Sequence, residues 1–167
     1  MGYSDIYNKE KQERKNLMNR ISKNDYYLGI ALAVSKRSTC LKRHYGAVIV
    51  KNDEIVATGY NGAARNEQNC CDVHTECPRK NAKHNSGDYS DCPAVHAEQN
   101  ALLSVSRDKA IGAILYLNGY DIAMENGKPH EHKMAECEPC PICKRMIMNA
   151  GISEIIGPQG VVWSVQK

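Results

Sequence analysis

The sequence predicts a single α/β domain built in three layers, and three observations carry that reading. The chain has 167 residues, enough for one domain with a real core. Hydrophobic residues make up 42% of it, an ordinary globular share. The elements read in the order helix, hairpin, helix, strand, helix, strand, which layers helices against a sheet. No repeat or interdomain linker is evident.

The elements follow in order. Residues 4–23 are charged, with Lys9, Lys11, Arg14, Lys15 and Arg20 against Asp5, Glu10 and Glu13. They read as a solvated helix or a tail ahead of the domain proper at 24–167, and not as a nucleic-acid arm. Asn24 is placed to cap a helix through Tyr27, Leu28, Ile30, Ala31 and Val34 to about Arg37. Gly46–Val50 and Ile55–Thr58 are β-branched strands joined by a turn at Asn52-Asp53. Residues 59–93 lack sustained periodicity, and a Cys-rich stretch at 66–93 holds Cys70, Cys71, Cys77 and Cys92. A segment so long and irregular is usually functional or stapled. After Pro93 a helix is expected over Ala94–Arg107, with Val95, Leu102, Leu103 and Val105 apolar and His96 and Glu98 in its first turn. Ala113–Leu117 reads as a buried strand, and 118–137 as a polar insertion containing Gly119, Gly127 and Pro129. Pro141 suits the first position of a helix, Ile142, Met146 and Ile147 supply its apolar stripe, and Gly151 ends it. Glu154–Ile156 is the last core strand.

The chemistry lies in His96-Ala97-Glu98 and Pro139-Cys140-Pro141-Ile142-Cys143. One imidazole and two thiolates form a three-ligand zinc set, and catalytic zinc sites leave the fourth position to water. Binding lowers the pKa of that water to about 7. Glu98 is the free acid/base that moves the protons. Cys140 and Cys143 fall at a helix N-terminus, where the dipole and unpaired N–H groups favour thiolates. This His-x-Glu and Pro-Cys-x-x-Cys pattern is the signature of zinc base deaminases.

Composition narrows the partners. No run of 18 apolar residues and no signal-peptide core is present, so neither a membrane span nor export is indicated and a cytoplasmic location is expected. Eight Cys without a secretory signal favour metal over disulfides. The net charge is only +3, Phe is absent and Trp163 is the single Trp, so stacking platforms for a polynucleotide are scarce. A free nucleotide fits better, and no nucleic-acid partner is expected. Cys40, Cys70, Cys77 and Cys92 lie outside the first set; they could hold a structural zinc or be scattered buried thiols. Cys137 has no evident role beyond a surface or packing thiol.

Ser38-Thr39-Cys40, Arg43, Gly46-Ala47-Val48-Ile49-Val50, Thr58-Gly59-Tyr60-Asn61-Gly62 and Cys92-Pro93-Ala94-Val95-His96-Ala97-Glu98-Gln99-Asn100-Ala101 resemble deoxycytidylate deaminases of the cytidine deaminase-like superfamily. The resemblance covers nearly all of 24–157. It implies the three-layer α-β-α deaminase fold, a mixed sheet with both zinc-bearing helices on one face. It implies conversion of dCMP and water to dUMP and ammonia. It implies a second zinc at Cys40, Cys70, Cys77 and Cys92, with Cys71 and His74 as reserve ligands. Asn61 would bond the substrate sugar, and the Ala97 N–H with Glu98 would grip the pyrimidine edge. A cation for the 5′-phosphate stays open among Arg37, Lys42, Arg43 and Arg65. The loop Gly59, Tyr60, Asn61, Gly62 would also serve a triphosphate regulator with magnesium, dCTP activating and dTTP inhibiting, in a homo-oligomer. Two departures stand out. Ala64 and Asn66 occupy places where the family commonly has Pro and Gly, which predicts a changed loop shape. The insertion at 118–137 could cover the pocket or serve an oligomer contact. A tRNA adenosine deaminase, another free cytosine nucleotide or nucleoside deaminase, and a non-catalytic zinc module are the alternatives.

Overall fold

The computed structural model describes residues 3–82, 89 and 91–165. Of the two readings for the amino-terminal segment, a helix forms: α1 (Tyr3–Leu17). The cap of α2 (Lys23–Ser35) is Ser22, not Asn24, because its Oγ accepts the Asp25 N–H at 3.1 Å. Asn24 instead accepts from the Tyr116 hydroxyl at 3.1 Å. The expected hairpin is β1 (Arg43–Lys51) and β2 (Glu54–Tyr60), with Asn52 and Asp53 at φ 51° and 68°. Two consecutive left-handed residues make the turn whose twist matches the strands.

The irregular region holds β3 (Gly62–Ala63) and a single turn, α3 (Cys70–Val73). Ala94–Val95 are not helical as expected; they form β4, which pairs with β3. That pairing holds the chain extended through His96 (φ −71°, ψ 155°), so α4 (Ala97–Leu103) starts three residues later than expected. A separate turn, α5 (Arg107–Ala110), follows. The segment read as an insertion is largely sheet. β5 (Ile114–Glu125) runs through it and returns as β6 (Lys128–Lys133), with Asn126 and Gly127 at φ 50° and 75° in the turn. α6 (Pro141–Ala150) has Pro141 at its start and Gly151 at φ 86° after its end, as expected. β7 (Glu154–Gly157) is followed by a further strand that periodicity did not reveal, β8 (Gly160–Ser164).

The strands lie in the order β2-β1-β5-β7-β8, with β6 on β5 beyond β7. β5 and β7 are parallel and the other pairs antiparallel, so the sheet is mixed. Alternation along β1 builds the layers. Ala47 and Ile49 pack with Ala97 and Ala101 of α4 and Ile147 of α6. Val48 and Val50 pack with Tyr27 and Ala31 of α2. Both faces of the central strands are thus covered. Ile49, Leu115, Leu117, Ile147 and Ile155 are fully buried, each contributing about 1.5–3 kcal/mol relative to exposure. At the end of β2, a Cβ on Gly59 would stand 2.3 Å from both the Ala97 carbonyl oxygen and the Ala101 nitrogen. Only glycine lets the sheet approach α4 so closely. Among the described residues no helix is long and apolar enough to cross a membrane.

Candidate metal centre and cleft

Both halves of the sequence signature are helix caps. His96 precedes the first residue of α4, and Cys140 caps α6, with its Sγ accepting the Cys143 N–H at 3.4 Å. α4 and α6 lie on the same face of the sheet, which brings the caps together. His96 Nδ1 is 3.3 Å from Cys143 Sγ and 3.6 Å from Cys140 Sγ. Among the described residues this is the one group of three ligand types whose atoms converge within 4.8 Å. Zinc bonds of about 2.0 and 2.3 Å at tetrahedral angles put a nitrogen and a sulfur ligand about 3.5 Å apart. The observed separations fit that value, so the donor set suits zinc in kind and in spacing.

The electrostatics agree. The Cys143 thiol donates to Cys140, and with the His96 imidazole it holds Cys140 far below the usual thiol range. The same bond pushes Cys143 upward, and the bond to Cys140 raises His96. The trio therefore shares protons that a metal would displace. Glu98, second residue of α4, is only 5% exposed, and burial raises its carboxyl above the ordinary range. It lines a cleft with Tyr45, Asn61, Ala97, His96 and Cys140.

The other expected residues divide. Asn61 reaches the cleft, but its amide is spent on β1: Oδ1 accepts the Tyr45 N–H at 2.7 Å and Nδ2 donates to the Arg43 carbonyl at 2.8 Å. Gly59 and Tyr60 end β2 and Gly62 opens β3, so Asn61-Gly62 is not the turn its composition suggests. Of the candidate cations, Lys42 and Arg43 line the cleft and Arg37 and Arg65 do not. Lys42 Nζ donates to the carbonyls of Arg79 and Lys80 at 3.2 and 2.9 Å. Arg43 meets Asp121 at 2.9 Å, too misaligned for a hydrogen bond. No residue of 118–137 lines the cleft. Asn66 adopts φ 70°, a left-handed conformation that asparagine and glycine tolerate best.

Cys40, Cys70, Cys77 and Cys92 border one smaller cavity beside the cleft, and Cys71 and His74 do not. These four spread more widely than the first trio. Cys40 Sγ accepts the N–H groups of Lys42 and Arg43 at 3.4 and 3.5 Å. Cys137 is fully buried, and burial pushes its thiol up to about 12. Sequence reasoning missed Arg79, Tyr89 and Glu138, which line the cleft. Arg79 lies two residues after Cys77 and Tyr89 three before Cys92. Treating the second Cys set as a frame would have pointed to them.

Residues 21–157 match the family model for the cytidine and deoxycytidylate deaminase zinc-binding region. A deoxycytidylate deaminase of Mycobacterium phage D29 is 36% identical over 148 residues, covering 85% of this chain and 98% of that one. The deoxycytidylate deaminase of Schizosaccharomyces pombe is 34% identical over 155 residues, covering 88% of this chain but 41% of the longer yeast protein. Among solved structures, the cyanophage S-TIM5 dCMP deaminase in complex with dCMP and dUMP superposes with a TM-score of 0.54. It is 25% identical, and 83% of each chain is covered.

Proposed function

The chain belongs to the cytidine and deoxycytidylate deaminase family, and from that premise we propose that it deaminates dCMP hydrolytically to dUMP and ammonia. One observation carries the reading: His96, Cys140 and Cys143 converge beside buried Glu98 on a cleft lined by Lys42, Arg43 and Arg79. Zinc, when held by that trio, supplies an activated water as nucleophile toward C4 of the cytosine. Glu98 takes a proton from the attacking water and delivers it to N3, then takes the proton of the new C4 hydroxyl and delivers it to the amine as the C4–N bond breaks. Its raised pKa lets it hold a proton between those steps. The Ala97 N–H, at the start of α4, bonds the edge of the base, and Asn61 faces the sugar. The three cations suit the 5′-phosphate, arginine best because its fork matches phosphate oxygens.

The proposal extends to parts that rest on the family. A second zinc sits among Cys40, Cys70, Cys77 and Cys92; their shared cavity supports it. dCTP and dTTP, with magnesium, act at the Gly59–Gly62 loop of a cytoplasmic homo-oligomer. The exposed Met146 and Met148 on α6 support the oligomer.

The test is a deamination assay over dCMP, CMP, deoxycytidine and dCTP, with and without dCTP or dTTP, alongside zinc counting. Two zinc per chain and turnover of dCMP are expected. Glu98→Gln should retain both metals and lose about 10²–10⁴-fold in kcat. Inactivity on every free cytosine nucleotide would overturn the function, and full activity of Glu98→Gln would overturn the proton route.

A further inference from the structure

The mechanism leaves one aromatic residue of the cleft unused. Tyr89 stands edge-on to the His96 imidazole, with ring centroids 5.2 Å apart and planes at 78°. Burial and the nearby Cys140 sulfur raise its phenol above the ordinary range, which places the hydroxyl on the Cys140 side of the cleft. The guanidinium of Arg79 lies 4.5 Å from the centroid of the same ring. One side chain thus packs on one of the three candidate ligands and lies near a second while a cation rests on its ring.

We propose that Tyr89 is a positioning residue for the metal ligands: its ring holds the His96 imidazole in place and its hydroxyl donates to Cys140 Sγ, with Arg79 steadying the ring. The proposal rests on the zinc deaminase reading. Partners that orient ligating groups matter because a ligand free to rotate pays its ordering entropy when the metal binds. Losing such a partner commonly costs about 10–100-fold in metal affinity or activity. A donor to a thiolate also draws charge from the sulfur, so it tunes what the ligand gives the metal.

The placement gives the Cys-rich segment a task beyond folding. Cys77 is two residues before Arg79 and Cys92 three residues after Tyr89. Both cysteines border the smaller cavity, while Arg79 and Tyr89 reach into the cleft next to it. A zinc held by these thiols, as proposed above, would anchor the chain close to both members of the Tyr–Arg pair.

The test uses the full-length zinc protein and the rate at which a chelating dye strips its metal. A His96→Ala control identifies the phase that belongs to the His96–Cys140–Cys143 site. Tyr89→Phe, which keeps the ring, should speed that phase by about ten-fold, and Tyr89→Ala, which loses ring and hydroxyl, should speed it further. Turnover of dCMP should fall in kcat with KM unchanged. In cobalt-substituted protein the sulfur-to-metal charge-transfer band should move in Tyr89→Phe. A wild-type release rate in Tyr89→Phe overturns the proposal. So does lost turnover with unchanged release, because Tyr89 would then act on the substrate. If the wild type deaminates no cytosine nucleotide, the function falls, while the release rates still decide the role of Tyr89.

Discussion

Gly59→Ala isolates the contact that sets α4 on the sheet. The added Cβ would lie 2.3 Å from Ala97 O and Ala101 N, against 3.4 Å or more for ordinary contact. Both are backbone atoms, so no side chain can swing aside. To regain contact distance, α4 must move away from β2 by about 1 Å, a displacement that can cost about 10²-fold in rate when it carries reacting groups. Here it carries Glu98 and, at its cap, His96. Overpacking of this kind also destabilises by about 1–3 kcal/mol. The assays are urea unfolding and dCMP turnover, with Gly29→Ala as a control. A Cβ on Gly29, inside α2, meets nothing within 4 Å, so that change should stabilise by about 0.5–1 kcal/mol and leave turnover alone. Wild-type stability and turnover in Gly59→Ala would refute the close-approach argument. Lost stability with intact turnover would show that α4 position does not limit the chemistry.

Two further predictions separate structural from chemical roles. Asn61→Ala removes both bonds to β1 and should cost about 1–3 kcal/mol in urea unfolding, since two backbone groups lose their partner; KM for dCMP should rise as the Arg43 backbone loosens, and unchanged unfolding would deny the amide its bracing role. Tyr27 donates to the Asp53 carboxylate at 2.7 Å, and that bond, aided by burial, raises its phenol from 10.0 to about 12. The folded chain then keeps a proton that the unfolded chain loses, so the contribution is complete below pH 10 and fades as pH rises toward 12. Melting temperatures should place wild type above Tyr27→Phe at pH 8, with the gap closing in alkali; a constant gap would contradict this linkage.

Where one local rule acts alone, the sequence was legible. Asn52-Asp53, Pro141 and Gly151 each took the turn or cap position their backbone preferences imply. The errors arise where a tertiary partner outbids the local preference. Asn61-Gly62 has turn composition, yet the Asn61 amide bridges two backbone groups of β1 and the chain passes on into β3. Asn126-Gly127 carries the same signal, and it is there that the turn forms, joining two strands across a segment whose polarity suggested a loop. β6 is polar because all six of its residues are exposed, so its strand character left no alternation to read. The convergence of His96, Cys140 and Cys143 near Glu98 was legible because the spacing within each half is local. Arg79 and Tyr89 were not, since their approach depends on folding of the Cys-rich segment.

That locality has a physical source in the caps. An N-cap side chain ordinarily satisfies the first N–H groups of its helix, and its backbone is extended, so the side chain is not bound into the helical ladder. His96 and Cys140 hold those positions, with ψ of 155° and 161°. Candidate ligands placed there still leave cap hydrogen bonds in place. Gln99 Oε1 accepts the His96 N–H at 2.9 Å, and Cys140 Sγ accepts the Cys143 N–H while still facing the trio. A glutamate two residues past a cap falls in the first helical turn, where the dipole favours its anion. Burial opposes that preference, and the upward shift of Glu98 shows that burial wins. A carboxyl held in that balance can take and return a proton. The one-residue gap between His96 and Glu98 and the two-residue gap between Cys140 and Cys143 are therefore helix-cap geometry written into sequence. An added residue in either gap would turn one member of each pair off the shared centre.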